Sequence, residues 1–218
     1  MNILEVAHVG FQADNRQILN DINFTVADQE VVTISGPSGS GKSTLVRIIA
    51  TLQSRTAGEI TYNGKSIDSY DPIQYRREVS YCFQQPTLFG DTVRDNLKFP
   101  YDIRNQAFDE KHAQNALQSV DLAANYLDKQ ITELSGGERQ RVALLRNVMF
   151  PPRILILDEV TAGLDETNKH IVHQMMQRFN QDDKITMLII THDQEEMDSA
   201  KRLITIENGQ LKGDENRE

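Results

Sequence analysis

Residues 36–44 read Gly-Pro-Ser-Gly-Ser-Gly-Lys-Ser-Thr, a G-x-x-x-x-G-K-[ST] pattern that few folds can accommodate. Glu30 to Ser35 (EVVTIS) reads as a strand before it, and Thr44 to Leu52 as an apolar helix after it. A strand that turns through glycines into a helix aims backbone N–H groups and the helix's positive end at one spot, which suits a phosphate. Gly36, Gly39 and Gly41, in one loop with Ser38, let backbone N–H groups turn inward around phosphate oxygens, Lys42 reaches the β and γ phosphates, and the Ser43 hydroxyl ligates Mg²⁺. At ordinary glycine usage, a chance match in a chain of this length is on the order of one in a hundred. A merely flexible Gly/Ser loop would need neither the Lys-Ser pair nor the flanking elements. The loop reads as a nucleotide phosphate site.

The rest of the chain supplies an α/β frame for it. Ile154 to Leu157 (ILIL) and Thr186 to Ile190 (TMLII) are continuous apolar runs separated by a helix from about Glu166 to Phe179. Parallel strands covered on both faces require such runs. Ile3 to Val9 and Ile22 to Val26 alternate like half-buried strands, and Asn63-Gly64 between Ile60 and Ile67 signals a hairpin. From about Thr92 to Phe150 the pattern is helical. Ala113, Ala116, Leu117 and Val120 share one helix face; Val142, Leu145 and Met149 share another, with Arg139, Arg146 and Asn147 expected to turn away. Pro151-Pro152 stops that helix. After Leu203 to Ile206 and an Asn208-Gly209 turn, the polar tail is expected to fray. The reading is one α/β domain over residues 1–218, with a helical subdomain inserted at about 86–150.

Two further clusters carry chemistry. Asp158-Glu159 follows ILIL directly, which puts both carboxylates at the carboxyl end of a strand, the edge where open α/β sheets bind ligands. Asp158 is placed to hold Mg²⁺ and Glu159 to take a proton from an attacking water. The bland alternative is a strand ending in two solvated acids. Ser135 and Glu138 make an S-x-x-E capping box before an amphipathic helix. Gly136 and Gly137 in its first turn cost about 1 kcal/mol each against alanine, which makes sense where exposed N–H groups approach an anion closely.

Composition removes several classes. The chain's 23 Lys+Arg against 32 Asp+Glu give a net charge of −9 and a pI of about 5.1, which disfavours nucleic acid as a partner. A single cysteine, Cys82, excludes an internal disulfide and a Cys-cluster zinc site. His170 and His173 lie i, i+3 without an evident third ligand and read as a solvated face. The start lacks a basic, apolar leader, and no apolar run approaches the roughly 20 residues of a spanning helix. A cytoplasmic protein is expected.

With the phosphate loop, LSGGERQRVALLRN resembles the signature of the ATP-binding-cassette (ABC) ATPases, and the other family motifs follow in order across essentially the whole chain. Phe11 lies 25 residues before Gly36, where the family carries an adenine-stacking aromatic. Gln84 ends SYCFQ at the place of the family's sensor glutamine, Asp165 ends AGLD, and His192 follows TMLII. The resemblance implies a P-loop NTPase fold: a RecA-like core with an antiparallel β subdomain, and a helical signature-motif subdomain. It implies ATP and Mg²⁺ as cofactors, with Thr44 on the α-phosphate and Gln84 sensing Mg²⁺ and water. Ser135, Gly136 and Gly137 would grip the γ-phosphate of an opposite subunit, with Asp165 close to the nucleotide and His192 positioning that phosphate. Three alternatives stay open: Gln85 as the sensor, Phe11 as a core aromatic, and Asp165 as a helix cap. Val160 stands where the family has proline.

The implied assembly is a head-to-tail homodimer on ATP binding, peripheral at the inner face of the membrane through a separate multi-span permease. Gln84 to Arg104, which includes Phe89 and Phe99, is the expected docking surface. VSYCFQQPTLFGDTVRDNLKFPYDIRN and LDEVTAGLDETNKH further resemble the ATP-binding subunits of Fet-type bacterial iron exporters, and Leu88 to Val93 resembles the exporters' Leu-Phe-x-Asp-Thr-Val. Asp128 to Glu133 replaces the exporters' acidic-glycine stretch, so transport direction stays open. The function implied is an ATPase energising iron or metal export; the alternative is an importer or exporter of another substrate. A chromosome- or repair-type ABC protein would need a coiled-coil arm. A P-loop small-molecule kinase would need an acceptor site and an arginine-bearing lid, and has no use for LSGGE. A regulatory module without turnover would not need Glu159.

Overall fold

The computed structural model describes residues 1–217. The chain gathers into two units, the first made of residues 1–81, 153–159 and those from 184 on, the second of 82–152 and 160–183. The helical segment expected at 86–150 lies inside the second unit, which also takes in the helix that follows Asp165.

Two sheets build the first unit. The antiparallel one runs β2-β1-β4-β5, from β1 (Asn2–Ala13), β2 (Arg16–Ala27), β4 (Ala57–Tyr62) and β5 (Lys65–Ser66). Asn63 (φ 50°) and Gly64 (φ 72°) turn the last hairpin, as their tolerance of the left-handed region allows. The six-stranded sheet contains β3 (Val31–Ser35), β6 (Val79–Cys82), β7 (Ile154–Asp158), β8 (Thr186–Ile190), β9 (Arg202–Glu207) and β10 (Gln210–Asn216), ordered β10-β9-β3-β8-β7-β6. β9, β3, β8 and β7 are mutually parallel neighbours. Every residue of β7 and β8 is buried, which accounts for their unbroken apolar runs. Helices α1 (Lys42–Ile49), α2 (Pro72–Glu78) and α7 (Gln194–Asp198) complete the unit. One core joins both sheets, with Ile22, Ile34, Leu45, Ile60, Ile156 and Leu188 fully buried.

The tail expected to fray is instead strand β10, antiparallel to β9. Arg202 holds it: Nε and one terminal nitrogen donate to the two Asp214 carboxylate oxygens, each at 2.7 Å, while the other donates to Glu30 at 2.9 Å. Leu211 packs against the core. Charge pairing between distant residues outweighs the polarity of the segment itself.

The second unit is helical: α3 (Val93–Asp102), α4 (Glu110–Gln118), α5 (Gly136–Val148) and α6 (Glu166–Gln181). Ala113, Leu117 and Val120 are buried as their spacing predicts. On α5 the expectation that Arg146 turns away is wrong. Its guanidinium donates to Thr87 O (2.9 Å) and to the buried Asn96 Oδ1 (3.1 Å), and stacks on Phe89. The Thr87–Phe89 loop and α3 cover that side of α5, so a residue on the polar face of the helix becomes an internal anchor.

Candidate nucleotide site

The phosphate loop is shaped by glycines with no substitute. Gly36 (φ 139°) passes so near Ile206 O that a Cβ would collide with it. At Gly41 (φ 105°) a Cβ would fall 2.6 Å from Leu19 Cδ2. Gly39 (φ 75°) faces open space, so there the need is the backbone angle alone. The turn after β9 clamps the loop: Gly209 N donates to Ser40 O at 3.0 Å and Asn20 N to Gly209 O at 2.8 Å. Thr44 follows in α1, half-buried, while Ser38 is exposed on the loop.

Lys42 is 4% exposed, and its Nζ donates to Gly36 O (2.8 Å) and Pro37 O (3.0 Å), folded back across its own loop. Burial lowers its pKa below the ordinary lysine value, against the pull of the Glu159 and Asp158 carboxylates. The Ser40 hydroxyl is buried with no hydrogen-bond partner among the described residues. An ammonium satisfied only by loop carbonyls and an orphaned hydroxyl are both served by phosphate oxygens.

Asp158 ends β7 at 4% exposure, with both carboxylate oxygens engaged. Oδ1 accepts from Ser43 Oγ at 3.2 Å; Oδ2 accepts from the Tyr81 hydroxyl, with Arg47 4.0 Å away. A serine hydroxyl beside a carboxylate is a hard oxygen pair of the kind Mg²⁺ takes, so the residues present fit that ion. Glu159 adopts φ 52°, in the left-handed region, with its N–H on Ile190 O at 3.1 Å. That turn brings its Oε1 within 2.8 Å of His192 Nε2, just past β8. Phosphate loop, Asp158, Glu159 and His192 therefore share the carboxyl edge of the parallel strands. Phe11 lies on β1, partly buried against the core.

Tyr81 is the residue that sequence reasoning missed. Its partner is 77 positions away, and an aromatic in a strand reads as core unless the neighbouring strand is known.

In the second unit, Ser135 caps α5 as its motif predicts. Its Oγ accepts from Glu138 N at 3.3 Å, and its N–H donates to Glu138 Oε2 at 2.7 Å. Burial pushes the Glu138 carboxyl up, but hydrogen bonds from Tyr126 and Ser135 outweigh it and hold the group below its ordinary value. Ser135 and Gly136 are exposed, and a Cβ on Gly136 would meet nothing within 4 Å. Gly137 is buried against the Asn168 side chain. Asp165 caps α6, its Oδ1 accepting from Asn168 N at 2.9 Å. Gln84 and Gln85 are both exposed. Val160 is buried, an apolar side chain where the related pattern has proline.

The sequence profile described as ABC transporter matches residues 19–162. The chain belongs to the ABC transporter family. Within it the chain is an ATP-binding subunit, of the type that binds ATP and carries ATPase activity. This ABC ATPase is 46% identical over 205 residues to the probable iron export ATP-binding protein FetA of Escherichia coli K12, which covers 94% of this chain and 91% of the relative. It is 36% identical over 214 residues to the spermidine/putrescine import ATP-binding protein PotA of Spiroplasma citri, covering 96% of this chain but 60% of that protein. Among solved structures, the ATP-binding cassette MJ0796, in a dimeric post-hydrolysis state bound to ADP and Pi, superposes with a TM-score of 0.86 at 26% identity over 98% of each chain. The ABC ATPase fold expected from the motifs is thus the fold observed, and dimeric cassettes occur among its structural neighbours.

Proposed function

We propose that this ABC ATPase hydrolyses Mg-ATP at sites shared head to tail in a homodimer and passes the closure to a separate permease. The observation that carries this is the Glu159–His192 contact at 2.8 Å, beside a buried carboxylate that holds the phosphate-loop serine. Lys42 leaves its loop carbonyls for the β and γ phosphates, and the loop N–H groups with Thr44 hold the remaining oxygens. Ser43 and Asp158 would hold Mg²⁺, with Gln84 sensing it, and the ion would supply charge neutralisation on the phosphates. Glu159 accepts the proton of the attacking water at Oε1 or Oε2, and His192 Nε2 orients the γ-phosphate against it. Gly136 and Gly137 supply N–H donors, and Ser135 its hydroxyl, to the partner's γ-phosphate, with Asp165 beside them. Phe11 stacks on the adenine. Purified Lys42→Ala should lose most nucleotide affinity and all turnover; wild-type ATP hydrolysis in that variant would remove the phosphate-loop assignment.

Iron or another metal is the cargo we assign, supported by the 46% identity to a probable iron export protein. Relatives that import polyamines favour the second reading, transport of another substrate or in the other direction. No helix among the described residues is long and apolar enough to cross a membrane, so contact with the inner face of the membrane runs through the permease. Phe83, Phe89, Phe99 and Ile103 are 39–52% exposed in the second unit, and Phe89 and Phe99 meet edge to face at 5.0 Å, a pair suited to a partner helix. Deleting the gene should raise cell iron and peroxide sensitivity. Unchanged metal content under iron load would move the assignment to another substrate.

A further inference from the structure

Arg141 lies one helical turn into α5 from Gly137 and is 6% exposed. A buried guanidinium is costly unless its donors are matched. Among the described residues it donates to Asn168 Oδ1 at 2.6 Å, and its Nε has no partner. The other end of the same amide donates from Nδ2 to Asp165 Oδ2 at 2.6 Å, while the Asn168 N–H donates to Asp165 Oδ1 at 2.9 Å. The amide is thus polarised in one sense, oxygen toward the cation and nitrogen toward the anion. It relays between Arg141 and Asp165, two charges on different segments. Its side chain also occupies the space a Cβ on Gly137 would need. All four residues belong to the second unit.

We infer that Asn168 is a positioning residue that locks the first turn of α5 and the Asp165 turn into one preformed surface. Only an amide satisfies both neighbours at this length: a carboxylate would repel Asp165, and an aliphatic chain would strand the buried Arg141 charge. Gly137 then has a packing reason beside its reach toward an anion, because the bridge passes directly over its Cα. The consequence for turnover rests on the proposed in-trans grip of Ser135 to Gly137. The lock itself does not.

The test therefore has two arms, with the full chain used in both. In the nucleotide-free protein, Asn168→Ala should raise hydrogen exchange about tenfold in the peptides spanning 134–141 and 161–168, the weight of a hydrogen bond to a charged group. Exchange in 36–44 should stay unchanged. Circular dichroism and the melting temperature show whether the variant folds, and Asn168→Asp, combined with Asp165→Asn to restore a carboxylate–amide pair, should return protection toward wild type. Exchange unchanged in either segment of a folded Asn168→Ala would overturn the lock. In the second arm, Asn168→Ala in a Glu159→Gln background should need about ten times more Mg-ATP to dimerise, with nucleotide affinity of the monomer unaltered. If the Glu159→Gln parent dimerises and Asn168→Ala dimerises equally well, the positioning role fails. If the parent itself stays monomeric, the in-trans reading fails and the exchange arm alone judges the lock.

Discussion

Replacing Tyr81 by phenylalanine removes one oxygen from the site and leaves the ring in place. That oxygen donates to Asp158 Oδ2, on a carboxylate 4% exposed. Once it is gone, Oδ2 faces Arg47 at 4.0 Å, a side chain 47% exposed and too distant for a hydrogen bond. A hydrogen bond to a charged group contributes about 1.5–3 kcal/mol. At about 2–4 °C per kcal/mol for a protein of this size, the melting temperature of Tyr81→Phe should fall by about 3–12 °C. The larger consequence concerns the metal. Oδ1 keeps its bond to Ser43, but the carboxylate loses the partner that fixes its plane, and loss of such orienting partners weakens metal affinity about 10–100-fold. Mn²⁺ binding followed by electron paramagnetic resonance, with ATP present, should show that weakening, and the Mg²⁺ needed for half-maximal hydrolysis should rise in step. Nucleotide binding without metal should be unchanged. Wild-type Mn²⁺ affinity in a folded Tyr81→Phe would refute the argument that Tyr81 orients the carboxylate proposed to hold the metal.

Two more outcomes follow from the same geometry. Glu159→Gln keeps the side-chain length and the contact with His192 but gives up the carboxylate proposed to accept the proton, so it should bind ATP, hydrolyse it very slowly and accumulate dimer, which gel filtration with Mg-ATP detects. Phe89→Glu puts a charge into the exposed Phe89–Phe99 contact and should abolish recruitment to membranes carrying the permease while sparing ATP hydrolysis in solution; recruitment at wild-type levels would remove that pair as the docking surface.

Features encoded over a few consecutive residues are legible in the sequence itself. The loop at 36–44 announces itself because each glycine, the lysine and the serine answer a local backbone or charge requirement. The Asn63-Gly64 turn and the Ser135–Glu138 capping box are equally local, and both form as their residues dictate. The buried runs of β7 and β8 reveal a parallel sheet because burial on both faces leaves no room for alternation. What only the tertiary structure decided depends on which distant segments meet. Tyr81 reaches Asp158, Asn168 spans Arg141 and Asp165, Arg146 turns inward to Asn96, and Arg202 recruits a polar tail into β10. Hydropathy assigns each of these side chains to core or solvent by type. A buried polar group, however, takes its role from the partner that satisfies it, and that partner is chosen by strand order and helix packing, not by its neighbours along the chain.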